Sequence, residues 1–227
     1  MYFVQSVKTN DNSYTLYVPE LNEHYHSTFG AVQESMCVYI KNGLQFYLMR
    51  HPKIQKINIF EMGFGTGLNA FLTWLNTKKS CLNVEYTAIE KFPLDISIIE
   101  LLYVGEFYND IFLSEKFKQF HISEWNKPVN INHLILKKIN VDVLDYIPDE
   151  KFDLVYFDAF APDIQPEIWS KEVFEKLYNS MNPNGLLTTY SAKGTVRRLL
   201  LETGFNVEKL KGPTGKRHVL RASIAKK

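Results

Sequence analysis

The sequence predicts an α/β protein built around a mostly parallel sheet, and three observations support this fold class. Short apolar runs alternate with segments whose apolar residues recur at helical spacing, such as Leu68, Phe71 and Leu72. A glycine-rich loop follows the first of the buried runs, at residues 63–67. The chain closes on two apolar runs joined by a glycine- and proline-containing turn, which predicts a final antiparallel hairpin. Alternation of this kind places a parallel sheet between two layers of helices.

Seven strands are predicted for the main sheet, and helices are predicted between most of them. The predicted strands are 57–60, 84–89, 134–139, 152–157, 186–190, 205–210 and 218–224. The predicted helices are 36–48, 68–75, 95–102, 173–181 and 196–200. Gly204 ends the last helix, and residues 182–185, Asn-Pro-Asn-Gly, predict a turn. Residues 103–130 are interpreted as an insertion that contains one or two further helices.

The predicted secondary structure divides the chain into two parts. Residues 1–50 form a predicted N-terminal extension of a hairpin and a helix, ahead of a main domain of residues 51–227. In the hairpin, residues 3–7 and 14–18 flank a turn-rich stretch. The helix is expected to end where Pro52 follows His51, because the residue before a proline disfavours helical geometry.

Composition narrows the class of protein further. Hydrophobic residues make up 45% of the 227 residues and charged residues 22%, which favours a packed core over disorder. No apolar run approaches the roughly 18 residues that cross a bilayer, and the N-terminus lacks a secretory pattern. Cys37 and Cys81 lie far apart and offer no metal-ligand spacing. A cytoplasmic protein with two reduced thiols, no bound metal and no membrane contact is expected; the sequence leaves its oligomeric state open.

The net charge of +1 hides a strong asymmetry along the chain. Residues 193–227 carry ten Lys or Arg against two Glu, a net of +8, whereas the other residues carry 16 against 23, a net of −7. A basic C-terminal region on an otherwise acidic protein suits a polyanionic partner, although a solvated face of ordinary lysines would give the same count.

The glycine-rich loop carries the first chemical signal. Glu61 precedes Gly63, Gly65 and Gly67, and Asn69 opens the following helix. Glycines permit a tight turn and a close approach of a ligand to the backbone. The spacing G-x-G-x-G differs from the dinucleotide pattern G-x-G-x-x-G, which disfavours a nicotinamide enzyme. A carboxylate at Glu61 could meet the ammonium group of S-adenosylmethionine.

Acidic residues at the ends of the next two strands are further candidates for binding the cofactor. Glu90 ends the second strand, where a carboxylate can accept both ribose hydroxyls of a nucleoside. Asp142 follows the third strand and could accept from an adenine amino group. Alone, each residue has an ordinary structural explanation, an ion pair with Lys91 for Glu90 and a helix cap for Asp142. Together with the glycine loop they favour a nucleoside-containing cofactor.

Asp158 is the strongest single candidate for chemistry. It ends a fully apolar strand and is followed by Ala-Phe-Ala-Pro, which supplies an aromatic ring at Phe160 and a rigid turn. Ligands of open α/β sheets bind at the carboxyl ends of the strands, near the point where strand order reverses. A helix cap remains the structural alternative for this carboxylate.

Five runs resemble the methyltransferase domain of the MnmC family, which also occurs as stand-alone MnmD proteins. The resemblance covers residues 11 to 222 and implies the Rossmann-like class I methyltransferase fold. The cofactor loop is shared with many methyltransferases, whereas the Glu-Lys-Phe-Pro and Asp-Ala-Phe-Ala-Pro runs are more specific. The runs are 25–35, 61–69, 90–94, 158–162 and 211–218.

The resemblance implies a reaction and its partners. The family methylates the primary amine of 5-aminomethyl-2-thiouridine at the wobble position of tRNA, using S-adenosylmethionine and releasing S-adenosylhomocysteine. Two-domain members add an FAD-dependent oxidase, which these 227 residues do not match, so methyl transfer without FAD is expected. Partner contacts are expected with the anticodon stem-loop.

The resemblance also assigns roles to residues. Glu61, Gly63, Gly65, Gly67, Asn69, Glu90, Lys91, Asp142 and Asp158 are expected at the cofactor. Asp158 is the expected catalytic residue, as an orienting acceptor of the amine more than as a full base, because an ordinary aspartate with a pKa of about 3.9 is a weak base. Phe160 is expected to stack on the uracil ring, and Lys216 and Arg217, with Lys193, Arg197 and Arg198, to meet phosphates. Tyr25 and residues 34–35 are expected to form a lid over the cofactor.

Two other classes stay open from the residues alone. A small-molecule amine N-methyltransferase or an aminopropyltransferase would share the glycine loop and a similarly placed aspartate. A nucleoside-binding regulator without catalytic activity would share the pocket. Turnover of free amines without tRNA would favour the first class, and tight cofactor binding without turnover would favour the second.

Overall fold

The computed structural model describes residues 3–102 and 110–224. Near its start, three short strands form an antiparallel sheet in the order β1-β2-β3. These strands are β1 (Gln5–Lys8), β2 (Tyr14–Val18) and β3 (Glu23–His24). The predicted hairpin is present, with Gln5 opposite Tyr17. The two-residue strand β3 was not predicted, because it is too short to show an alternating pattern.

A continuous helical segment connects this small sheet to the main one. It consists of α1 (Ala31–Ser35), a π-helical stretch (Met36–Gln45) and α2 (Phe46–Arg50). The predicted helix is confirmed, and it ends at His51 as the following proline predicts. The π-helical geometry was not predicted. At Gly43 this stretch approaches the main sheet so closely that a Cβ atom would lie 3.3 Å from the side chains of Thr188 and Tyr156.

The main sheet has eight strands in the order β10-β11-β9-β8-β4-β5-β7-β6. All seven predicted strands are present, and the closing hairpin of β10 and β11 is antiparallel as predicted. The predicted count is one short, because a four-residue edge strand, β6, pairs antiparallel with β7 inside the predicted insertion. The strands are β4 (Lys56–Met62), β5 (Asn83–Glu90), β6 (Pro128–Ile131), β7 (Leu134–Asn140), β8 (Phe152–Phe157), β9 (Met181–Thr189), β10 (Phe205–Lys211) and β11 (His218–Ile224).

Helices cover both faces of the main sheet. Glycines bound two of them: Gly67 precedes α3 with a φ of 68°, and Gly204 follows α7 with a φ of 108°. Helix α5 confirms a helix in the predicted insertion, whereas residues 103–109 lie outside the described residues. The helices are α3 (Leu68–Thr77), α4 (Ile96–Ile99) with a 3-10 turn (Glu100–Leu102), α5 (Ile111–Ile122), α6 (Lys171–Asn179) and α7 (Gly194–Thr203).

The predicted turn at residues 182–185 is instead part of β9. The pairing of β8 and β9 skips register between Phe152 and Leu154, and Asn184 has a positive φ of 66°. A bulge of this kind absorbs extra residues without ending the strand, so the turn-forming residues bend β9 rather than interrupt it.

The sheet separates two apolar clusters, and β4 shows how. Ile57 and Ile59 contribute to the cluster beneath α3 and the π-helical stretch, while Phe60 and Met62 contribute to the cluster beneath α6 and α7. Neighbouring strand residues point to opposite faces, so a strand buried on both faces reads as a continuous apolar run. Across the described ranges, none of the helices is both long and apolar enough to cross a membrane.

Candidate functional site

The order of the strands brings three loops to one edge of the sheet. Strand β4 lies between β5 and β8, so chain order reverses beside it, which is where ligands of such sheets bind. Met62 is level with Ile89 on one side and with Phe157 on the other. The residues that follow these three positions, Gly63, Glu90 and Asp158, therefore emerge together.

A cavity of ≈ 610 Å³ opens at this edge. Of the residues predicted at a site, eight line it: Gly63, Gly65, Glu90, Lys91, Asp142, Asp158, Phe160 and Lys216. The N-terminal segment contributes a second wall that includes Tyr25 and Glu34. These eight predicted residues thus lie around one space large enough for a nucleoside-sized ligand.

The glycine loop follows β4 with a backbone that other residues rarely adopt. Gly63 has a φ of 86°, and a Cβ atom there would lie 2.7 Å from the backbone oxygen of Asp158. Gly67 has a φ of 68°, and a Cβ atom there would meet Nε2 of His121 at 2.9 Å. Glycine is required at both positions because of the positive φ and the close approach. Unlike Gly63 and Gly65, Gly67 does not line the cavity.

Glu90 ties the loop to the end of β5. Its Oε2 accepts a 3.0 Å hydrogen bond from the Gly65 amide, and its Oε1 accepts a 2.8 Å bond from the Phe92 amide. Burial raises the pKa of Glu90, and these backbone bonds partly offset that rise. Each carboxylate oxygen has two acceptor sites. Glu90 therefore keeps capacity to accept hydroxyl groups from a ligand in the cavity, which fits a ribose.

Lys91 and Asp142 form an ion pair across the next loop. Nζ of Lys91 lies 2.7 Å from Oδ2 of Asp142, whose Oδ1 accepts a hydrogen bond from the Leu144 amide. The pKa of Asp142 is lowered although burial acts to raise it, because these donors and the lysine charges outweigh burial. Both residues line the cavity. An ion pair of Lys91 with Glu90 was one of the predicted alternatives, but Lys91 pairs with Asp142 instead.

Asp158 lies in the cavity wall directly after β8. Its Oδ2 accepts a 2.7 Å hydrogen bond from Nδ2 of Asn69. Burial raises its pKa to about 6; hydrogen bonds from Tyr39 and Asn69 oppose the rise, as does the Lys216 charge, while Glu34 adds to it. The carboxyl group is therefore a better proton acceptor than an exposed aspartate and is still mostly ionised at neutral pH.

Glu61 and Asn69 lie behind Asp158 rather than in the cavity wall. Glu61 is fully buried, and its Oε1 accepts a 2.9 Å hydrogen bond from the same Asn69 nitrogen that contacts Asp158. Neither residue lines the cavity. Glu61 therefore does not face the space in which a ligand ammonium was predicted to meet it, whereas Asp158 does.

Aromatic side chains form a further part of the wall, and the Tyr25 ring lies against the glycine loop, where a Cβ atom on Gly65 would be 3.2 Å from it. The rings of Phe160 and Tyr25 meet edge to face at 5.0 Å, and Trp169 Nε1 donates a 2.8 Å hydrogen bond to the Phe160 carbonyl. The Tyr190 hydroxyl donates a 2.8 Å bond to the Ala159 carbonyl. These bonds hold the Asp158 loop in place. Sequence reasoning missed Tyr190, although its position directly after β9 is the signal that singled out Asp158 after β8.

The two basic residues predicted at the substrate differ in placement. Lys216 lines the cavity, pairs with the buried Glu34, and lies 3.9 Å from the centroid of the Tyr190 ring. Arg217 is exposed and does not line the cavity. Ser35, predicted with Glu34 in the lid, is fully buried and also outside the lining. The Glu34–Lys216 pair connects the N-terminal segment to the turn of the closing hairpin.

Comparisons with known proteins agree with this fold. A family model described as S-adenosyl-L-methionine-dependent methyltransferase matches residues 106–225. A bifunctional tRNA 5-methylaminomethyl-2-thiouridine biosynthesis protein MnmC from Campylobacter fetus is 34% identical over 175 residues, which cover 74% of this chain and 28% of that protein. The chain thus spans less than a third of that relative's length, and 36% of the length of the Idiomarina loihiensis MnmC, to which it is 28% identical over 89% of its own residues.

Solved structures give the same result. The crystal structure of MNMC2 from Aquifex aeolicus superposes with a TM-score of 0.78 at 25% identity, over 100% of this chain and 72% of that one. Spermidine synthase from Thermotoga maritima superposes with a TM-score of 0.57 at 13% identity, over 99% of this chain and 73% of that one, a likeness of fold alone. With a family model that covers more than half of its residues, this chain belongs to the family of S-adenosyl-L-methionine-dependent methyltransferases.

Proposed function

We propose that this protein methylates the primary amine of 5-aminomethyl-(2-thio)uridine at the wobble position of tRNA, in the cytoplasm. The observation that carries the proposal is the placement of Asp158, whose carboxylate faces the cavity between the glycine loop and the aromatic wall. The printed names of the MnmC relatives supply the substrate class, since those proteins act in tRNA 5-methylaminomethyl-2-thiouridine biosynthesis.

S-adenosylmethionine supplies, when bound, a methyl group on a sulfonium that is already electrophilic. The glycine loop and Glu90 form the side of the cavity suited to its nucleoside, since Glu90 keeps acceptor capacity and the loop lets a ligand approach the backbone. The Lys91–Asp142 pair borders the same side and is assigned to the adenine. Because the electrophile is activated in advance, positioning of the amine contributes much of the acceleration.

Asp158 is assigned to the substrate amine. An alkylamine with a pKa of about 10 is mostly protonated at neutral pH, and only its neutral form can attack the methyl carbon. The pKa of Asp158, about 6, leaves an ionised acceptor that hydrogen-bonds the amine and orients its lone pair. The remaining gap of about four pKa units favours an orienting acceptor that passes the proton on to water over a base that retains it.

The aromatic wall is assigned to the nucleobase. Phe160 and Tyr25 present apolar surface beside Asp158, and both line the cavity. Bases of single-stranded loops splay out and stack on aromatic side chains, each such contact contributing about 1–3 kcal/mol. A wobble uridine that stacks here would carry its aminomethyl group toward Asp158.

Exposed arginines at the same edge are assigned to the anticodon stem-loop. Arg197 and Arg198 lie in the first turn and a half of α7, which follows β9 at the edge where the cavity opens, and Arg217 lies in the closing turn. The predicted basic region offers fewer free positive charges to RNA than its net charge indicates. Lys193 pairs with Asp163, and Arg221 is buried against Glu208 and the Phe46 ring. The exposed arginines remain suited to phosphates.

The test is methyl transfer to purified tRNA from a strain that lacks the gene, with nucleoside mass spectrometry as the readout. The expected result is conversion of 5-aminomethyl-(2-thio)uridine to its N-methyl form, lost in Asp158→Asn by about 100-fold or more while S-adenosylmethionine binding changes little. Asp163→Asn, an exposed carboxylate outside the cavity lining, is the matched control and should keep full activity. Turnover of free amines without tRNA, or an unchanged nucleoside profile in the deletion strain, would refute the proposed substrate.

A further inference from the structure

Behind Asp158, a second carboxyl group is joined to it through one amide. Nδ2 of Asn69 lies 2.9 Å from Oε1 of Glu61 and 2.7 Å from Oδ2 of Asp158. An amide nitrogen carries two hydrogens, so each carboxyl group receives one of them. The three side chains form a short chain that runs from the core to the cavity wall.

Within this group of three side chains, two buried acceptor atoms lack a donor. Among the described residues, Oε2 of Glu61 and Oδ1 of Asn69 are both buried and have no partner at hydrogen-bond distance. The buried hydroxyl group of Tyr86, which acts on Glu61 as a donor and lowers its pKa, is likewise without a partner at that distance in the described part of the chain. Buried acceptors without a donor are unfavourable by about 1–3 kcal/mol each. A proton on Oε2 of Glu61 would supply the missing donor and remove its charge.

The charges around Glu61 lead to the same conclusion. The charged groups that act on it are the carboxylates of Asp158 and Glu90, and the remaining neighbours are neutral: Asn69, Tyr86 and Tyr156. Glu61 itself is 0% exposed, whereas Asp158 faces the cavity. Two carboxyl groups that share one site do not both ionise readily, and the more deeply buried one keeps the proton.

We propose that Glu61 remains protonated in the working protein and acts, through Asn69, as a positioning residue that makes Asp158 the ionised carboxylate of the pair. The catalytic consequence rests on the proposed function of Asp158, whereas the protonation state of Glu61 does not. Burial raises the pKa of Glu61 well above its ordinary value, and the charges of Asp158 and Glu90 add to that rise, whereas the Asn69 amide and the Tyr86 hydroxyl only partly oppose it. On this assignment Glu61 does not bind a ligand ammonium.

The direct test is a carbon-13 titration of the side-chain carboxyl groups by nuclear magnetic resonance, in the protein without ligand. Glu61 should keep a neutral carboxyl signal through neutral pH while Asp158 titrates near pH 6. An ionised Glu61 signal at neutral pH overturns the proposal. This measurement involves neither a variant nor methyl transfer, so it stands even if the substrate proposed above is wrong.

A variant then tests the coupling. Glu61→Gln keeps the shape and neutrality of a protonated carboxyl group, so the Asp158 midpoint and S-adenosylmethionine affinity should stay within about 0.5 pH units and about threefold of the wild type. If Glu61 were ionised, its neutral replacement would remove a nearby negative charge and lower the Asp158 midpoint. A larger change in either quantity contradicts the proposal. Glu85→Gln, at a half-buried position of β5 outside the cavity lining, is the control for replacing a glutamate.

Discussion

The amide of Gly65 donates a 3.0 Å hydrogen bond to Oε2 of Glu90, and this bond joins the loop after β4 to the end of β5. The carboxylate is thereby held beside the glycine loop, with its second oxygen fixed by the Phe92 amide. One side chain thus serves the conformation of the loop and the lining of the cavity together.

Replacing Glu90 should weaken cofactor binding more than it weakens the fold. Glu90→Ala removes the acceptor for Gly65 and the acceptor offered to the ligand, and hydrogen bonds to charged groups contribute about 1.5–3 kcal/mol. We expect S-adenosylmethionine affinity, measured by isothermal titration calorimetry, to fall by about 10- to 100-fold. Glu85→Ala replaces a half-buried glutamate of the same strand that lies outside the cavity lining, and it should leave affinity unchanged. Equal affinities for both variants would contradict the role of Glu90.

The acid limb of the pH–rate profile should report Asp158. The orienting form is the ionised one, so activity should be present above pH 6 and fall as the pH drops through about 6, the pKa of Asp158. Asn69 donates to the ionised carboxylate and so lowers this pKa. In Asn69→Leu that bond is lost, and the limb should move to higher pH. A limb that moves to lower pH, or stays in place, would show that Asn69 does not tune Asp158.

Gly63 should tolerate no side chain. An alanine there must adopt a φ of 86° and place its Cβ atom 2.7 Å from the backbone oxygen of Asp158, which cannot rotate away. We expect Gly63→Ala to lower the free energy of unfolding by about 1–3 kcal/mol, and to reduce cofactor affinity. Gly194→Ala is the control, since a Cβ atom there would have only an ordinary 3.5 Å contact. Thermal unfolding and calorimetry on both variants check this expectation.

The exposed arginines should affect tRNA binding without affecting cofactor binding. In a double Arg197→Ala and Arg198→Ala variant, two phosphate contacts are lost, so the KM for tRNA should rise. The dependence of tRNA affinity on salt should become shallower, by about 1.4–1.8 in the log–log slope. Replacing Lys53 and Lys56 by alanine removes the same charge near the amino end of β4, away from the cavity. A matching loss of tRNA affinity in this control would refute a localised RNA surface.

The fold was largely predictable because its signals are local. The periodicity of Leu68, Phe71 and Leu72 and the apolar run 152–157 each reflect burial of that segment against the sheet. β6 escaped prediction because its four residues show only a weak alternation of apolar and polar side chains. It is an edge strand that can be recognised only from its pairing with β7. The bulge in β9 escaped prediction because residues such as Asn, Pro and Gly favour turns and bulges alike, so the sequence does not distinguish the two.

The candidate site was predictable where a residue's position follows from strand ends. Gly63, Glu90 and Asp158 share a cavity because parallel strands in register end at the same edge. The inward orientation of Glu61 was not predictable, since the direction in which a residue near the end of a strand points depends on the pleat and on packing. Tyr25 and Glu34 were predicted beside the cofactor site, but the pairing of Glu34 with Lys216 was not, because it is a tertiary contact between distant parts of the chain, which local patterns do not encode.

The ion pair between Glu34 and Lys216 has a consequence for folding order. It joins a residue ahead of the first strand of the main sheet to the turn between its last two strands. A chain emerging from the ribosome therefore cannot complete the wall of the cavity before β11 has paired with β9. Contacts so distant in sequence form late and slow folding, so cofactor added during synthesis should protect only full-length chains from proteolysis.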